Sequence, residues 1–148
     1  MMVIKLSSNS VFQQATCIEY SADIGMVPEW HDCRVVVKKN SVSVRMTKDY
    51  EPNNVVVYDE TFSLTTAKYN QFISSLANQS LRKVTPNDVQ GVGGSSSYLK
   101  VRKDSSVLLE GEEGYDLKVS RGNLIDSFLK ILPSDVAQKV LIHLGKNY

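Results

Sequence analysis

Between Ser41 and Thr47 hydrophobic and polar residues alternate without a break: Val42, Val44 and Met46 fall on one side, Ser43, Arg45 and Thr47 on the other. That period of two belongs to a half-buried β-strand. Ahead of it, Arg34 to Lys38 centres on Val35, Val36 and Val37, and Val11 to Tyr20 is another run with β-branched and aromatic positions. Lys38-Lys39-Asn40-Ser41 is short enough to close a hairpin between the valine strand and the alternating one, with Asn40 as its left-handed residue. Lys48 to Asn54, KDYEPNN, reads as a loop by its proline and paired asparagines, and Val55 to Phe62 as the strand after it.

Beyond Leu64 the period changes to that of a helix. Tyr69, Phe72, Ile73 and Leu76 stand at i, i+3, i+4 and i+7, and Thr65 or Thr66 precedes them as a cap, which predicts a helix over 65–78. Leu81 to Val84 reads as a short strand and TPNDVQGVGG as a loop. Alternation returns from Ser97 to Lys103, with Tyr98, Lys100 and Arg102 opposite Leu99 and Val101; a turn follows, then Val107 to Glu110 as the hairpin partner and Tyr115 to Val119 as a further strand. Leu124, Ile125, Phe128, Leu129 and Leu132 make a second helical stripe within 121–132. Pro133 stops it, and Ser134 is expected to cap a last helix over 134–144 carrying Val136, Val140, Leu141 and Leu144.

Strands followed by helices, twice over, argue an α+β fold: an antiparallel sheet or small β-sandwich of about six to eight strands with about three helices. The 148 residues suit a single domain spanning 1–148, a size at which roughly 70% of the unfolded surface is buried on folding. Hydrophobic residues at 42% and charged residues at 22% exclude a disordered chain. A net charge of +1 gives no global field for polyanions, so direct nucleic-acid binding is not expected. The start, MMVIKLSSNSVFQQA, is apolar only from Met2 to Ile4, short of the roughly 7 to 15 residues of a signal peptide. With no run near the roughly 20 residues of a membrane span, no membrane association and a cytoplasmic location are expected.

Candidate chemistry concentrates in Val27 to Cys33, VPEWHDC, which holds the only tryptophan together with Glu29, His31, Asp32 and Cys33. In an extended segment His31 and Cys33 share a face and Asp32 takes the other. Two ligands on one face do not make a zinc site, and the remaining thiol and imidazole, Cys17 and His143, are distant in sequence. No metal or cofactor is therefore expected; both cysteines read as small buried hydrophobes. The stretch reads as a turn before the valine strand, with Trp30 as a packing or interface anchor. Gly91-Val92-Gly93-Gly94-Ser95-Ser96-Ser97 lacks the Gly-Lys-Ser/Thr ending of a phosphate loop and leads into a strand. A small hydrolase or ribonuclease using His31 and His143 as its acid–base pair is the enzymatic alternative; a structural module of a larger assembly is another. Neither is the leading expectation, which is a protein that is not an enzyme.

The charges cancel in sum but not in place. Arg34, Lys38, Lys39, Arg45 and Lys48 are followed by Asp49, Glu51, Asp59 and Glu60; Lys100, Arg102 and Lys103 are followed by Asp104, Glu110, Glu112, Glu113 and Asp116. The loops DYEP and EGEEGYD thus form an acidic rim with Tyr50 and Tyr115 as anchors, a combination of apolar area and charge suited to a basic protein partner. Its expected residues are Tyr50, Glu51, Asp104, Glu110, Glu112, Glu113, Tyr115 and Asp116, with Trp30. In these acidic loops, in the absent leader and in the lack of a catalytic motif, the chain as a whole resembles small cytoplasmic bacterial toxin-immunity proteins of the contact-dependent inhibition type. The resemblance implies inhibition of a cognate basic toxin domain, such as a nuclease, by steric and electrostatic occlusion of its active site.

Overall fold

A computed structural model describes residues 4–5, 11–25, 30–48, 55–83 and 95–145. Its strands are β1 (Ile4–Lys5), β2 (Cys17–Gly25), β3 (Trp30–Lys38), β4 (Ser41–Lys48), β5 (Val55–Ser63), β6 (Leu81–Lys83), β7 (Ser95–Lys103), β8 (Ser106–Glu112) and β9 (Leu117–Val119). Its helices are α1 (Thr66–Asn78), α2 (Leu124–Leu129) and α3 (Ser134–His143). The class is α+β. One six-stranded antiparallel sheet runs in the order β5-β4-β3-β2-β7-β8, and a small three-stranded sheet runs β1-β6-β9.

The alternation predicted for β4 sets the face of the whole large sheet. Val42, Val44 and Met46 lie opposite Val37, Val35 and Cys33 of β3. Those in turn oppose Ile18, Tyr20 and Ala22 of β2, which meet Val101, Leu99 and Ser97 of β7. The hydrophobic members of these rows are all buried and join one core with Phe72 and Leu76 of α1, Leu124 and Phe128 of α2, and Val136 and Val140 of α3. Phe128 links the layers: its ring centroid is 5.0 Å from that of Tyr20 on the sheet and 5.0 Å from that of Phe72 on α1.

Several boundaries differ from the sequence reading. Residues 11–15 form a turn, and β2 begins at Cys17 and continues to Gly25, because the register with β3 and β7 carries pairing past Tyr20. The valine strand begins at Trp30, so Trp30 to Cys33 are not a turn but strand residues, paired with β2 from Trp30 onward and also with β4 from His31 onward. Pro28 and Glu29 lie outside the described residues, and so does the Gly91 to Gly94 loop. The Lys39-Asn40 turn does not use a left-handed Asn40; among the described residues, those other than glycine at positive φ are Ser80 and Asp104. Tyr115 lies in the turn before β9. Helix α2 is shorter than its stripe, and the cap of α3 is Pro133, whose carbonyl accepts from Ala137 N, which places Ser134 in the first helical position. Thr65 caps α1 as expected, its Oγ1 accepting from Lys68 N at 3.1 Å.

Both edges of the large sheet carry an irregularity. The β4–β5 register shifts between Met46 and Thr47, which leaves Val57 as the extra residue of β5; the β7–β8 register shifts between Val101 and Arg102, which leaves Leu108 as the extra residue of β8. A bulge bends and twists an edge strand away from a would-be partner strand.

Candidate functional site at the β5–α3 corner

Three consecutive valines cannot all face inward from a strand of period two. Val55, Val56 and Val57 are 47%, 42% and 46% exposed at the start of edge strand β5. Ile142, off the apolar stripe of α3, is 62% exposed. Val57 and Ile142 come together with Met46, Tyr58, Lys139 and His143 around an open groove of about 300 Å³. Tyr58 is opposite Met46 in the register and so turns toward α3, where the Lys139 ammonium stands 5.3 Å from its ring centroid. Burial, and then the nearby carboxylates of Glu60 and Asp135, push the Tyr58 phenol up. The corner therefore joins exposed apolar area and one tyrosine, the composition of an interface centre, to a charged border of carboxylates and the Lys139 ammonium.

The same groove borders on His143. His31 and His143 are distant in sequence, yet their rings meet edge to face with centroids 4.9 Å apart. His143 Nε2 lies 3.1 Å from the Asp32 carbonyl and 2.9 Å from that of Thr47. A carbonyl only accepts, so Nε2 carries the proton and donates to both strands, tying α3 to β3 and β4. Any proton transfer by His143 must pass through Nδ1. Asp32 is on the opposite face of β3; burial and the Asp23 carboxylate, opposed by Arg34 and His143, raise its carboxyl above the usual range. Among the described residues no group of three or more His, Cys, Asp and Glu is arranged to hold a metal ion. Cys33 is buried, and burial followed by Asp32 pushes its thiol up to about 12, the setting of an unreactive cysteine.

The acids expected at the rim are used within the fold to differing extents. Glu110, Glu112, Glu113, Tyr115 and Asp116 gather at the end of β8 and in the turn after it. Glu113 accepts from Ser97 Oγ at 2.7 Å and from Leu124 N at 3.1 Å, joining β7 to the start of α2. Asp116 Oδ2 accepts from Glu112 N at 2.9 Å and closes the turn, and Glu110 accepts from the Tyr98 hydroxyl at 2.7 Å. No hydrogen bond or ion pair engages the Glu112 carboxylate among the described residues. Asp104, in the turn before β8, is at the far end of the hairpin, about 20 Å away along the strand. Tyr50 and Glu51 lie outside the described residues, as does the side chain of Trp30.

The corner had partial sequence signals, the unbroken valine triplet and the isoleucine off its helical stripe. The histidine contact had none, because it depends on where α3 docks. Among the described residues no helix is long and apolar enough to cross a membrane. The chain matches no protein-family model, no curated protein and no solved structure.

Proposed function

We propose that this protein works by binding another protein, as a cytoplasmic immunity protein that neutralises a basic toxin domain, and that it does no chemistry of its own. One observation carries the reading: the exposed Val57 and Ile142 meet at a groove with Tyr58, flanked by Glu60 and Asp135. Apolar anchors in such a patch supply affinity, and surrounding carboxylates speed encounter with a basic cleft. The bulge at Val57 favours docking through side chains over addition of a partner strand. The carboxylate of Glu112 extends acidic surface at the other end of the sheet.

The test uses the purified toxin domain encoded beside this gene. A one-to-one complex that suppresses the toxin's activity is expected. Val57→Asp and Ile142→Asp should each weaken it at least about tenfold, roughly 1.4 kcal/mol, in a chain that remains folded. Glu60→Lys with Asp135→Lys should slow association and flatten its salt dependence. Absence of binding, or full binding by Val57→Asp, would refute the reading.

The contact between His31 and His143 favours a second reading, an acid–base hydrolase acting on phosphodiesters. It expects cleavage of RNA by the purified chain and loss of that cleavage, by about a hundredfold or more, in His31→Ala. A chain without such activity eliminates it.

A further inference from the structure

The helices occupy one face of the six-stranded sheet, and the other presents only half-exposed and exposed side chains from Ser21 to Asp23, Arg34 to Val36 and Ser43 to Arg45 outside the buried rows. Cross-strand pairs satisfy much of this face: Ser43 with Thr61 at 2.9 Å, Tyr98 with Glu110 at 2.7 Å, Ser96 with Asp23 at 2.9 Å, and the Arg102–Glu19 ion pair. Two pairs break the pattern, in adjacent rows. Arg34 of β3 is directly opposite Arg45 of β4. Two residues back along β3, Asp32 is directly opposite Asp23 of β2. Like charges placed directly opposite each other destabilise a sheet. No ion pair or hydrogen bond engages either guanidinium among the described residues.

We propose that this open face is where two copies of the chain meet, Arg34 of each against Asp32 of the other. The complement is built into the register. A two-fold axis lying between the two faces, running across the strands midway between the arginine row and the aspartate row, exchanges one row for the other. Arg34 of each copy then faces Asp32 of the other, while Arg45 and Asp23 lie one strand to the side of those contacts, over Thr47 and Ser21. A polyanionic partner fits less well, because Asp59, Asp23 and Asp32 bracket the two arginines and repel it. The size also suits a dimer. Six strands at about 4.8 Å and about seven shared residues at roughly 3.3 Å give a face of about 700 Å², against roughly 800 Å² per partner in a standard interface. The β5–α3 groove opens on the helix side of the sheet, so this surface is separate from the one that carries the proposed function.

Analytical ultracentrifugation of the full chain tests the proposal. A concentration-dependent dimer is expected at low ionic strength, weakened about tenfold or more when salt rises from about 50 to about 500 mM. Arg34→Asp and Asp32→Arg should each be monomeric alone, since each reversal puts like charges at both symmetry-related contacts. An equimolar mixture of the two should recover the dimer, because each chain supplies the sign the other lacks. Thermal melts establish that the variants are folded; should a reversal unfold the chain, Arg34→Gln replaces it and is expected to weaken dimerisation about threefold or more. A wild-type chain that remains monomeric, a mixture of folded variants that fails to associate, or an Arg34→Gln dimer of unchanged strength overturns the proposal.

Discussion

Tyr98 projects from the open face of β7, 37% exposed, with its hydroxyl donating to Glu110 at 2.7 Å. That hydrogen bond, followed by burial and the charges of Glu110 and Asp116, pushes the phenol up to about 12. The raised value means that folding favours the neutral phenol. The stabilisation is complete below the ordinary tyrosine value near 10 and disappears as pH rises through about 12. Water screens so exposed a pair, so the readout is titration and not stability: ultraviolet difference titration of Glu110→Gln should bring Tyr98 back toward the ordinary value. Gly111, on the inner side of β8, supports the same turn by its lack of a side chain. A Cβ there would stand 2.6 Å from Asp116 Cβ and 3.0 Å from Leu117 Cγ, so Gly111→Ala should destabilise the chain by about 1–3 kcal/mol in chemical denaturation. The sequence made EGEEGYD legible as acidic. It did not make legible that Glu113 and Asp116 are partly spent on Ser97, Leu124 and Glu112, because those bonds depend on tertiary placement.

At the scale of elements, α1 was the most legible part of the chain. Its stripe of Phe72, Ile73 and Leu76 is buried, and Thr65 supplies the cap. Thr65→Ala should cost about 1 kcal/mol, measured by denaturant unfolding. The alternating strands β4 and β7 were equally plain, since a period of two leaves little choice of face. Trp30 to Cys33 misled because polar and aromatic variety resembles a loop, whereas pairing with β2, joined from His31 onward by pairing with β4, holds the segment extended. The cap of α3 misled for a local reason. Pro133 has the extended ψ that starts a helix, φ −53° and ψ 144°, so the serine after it is already helical. Bulges leave no mark in hydrophobic pattern beyond a residue that fits neither face, and Val57 and Leu108 are those residues.

At the scale of the molecule, the chain's two strand-then-helix halves share the six-stranded sheet and one core. Phe128 is the joint, in contact with Tyr20 from the first half of the sheet and with Phe72 of α1. Phe128→Ala should cost about 3–5 kcal/mol, and calorimetry should show a single transition at lower temperature, since one core unites both halves. Strand order was the least legible property. The β2–β7 pairing joins Cys17–Gly25 to Ser95–Lys103, and no local pattern announces a partner so remote. That pairing has a consequence for synthesis. As the chain leaves the ribosome, β2 finds β3 at once but must wait for β5, α1 and β6 to be made before its other neighbour exists. Until then the strand destined for the middle of the sheet is an edge without a bulge to guard it, so the nascent protein is at its most adhesive when it is about two-thirds complete.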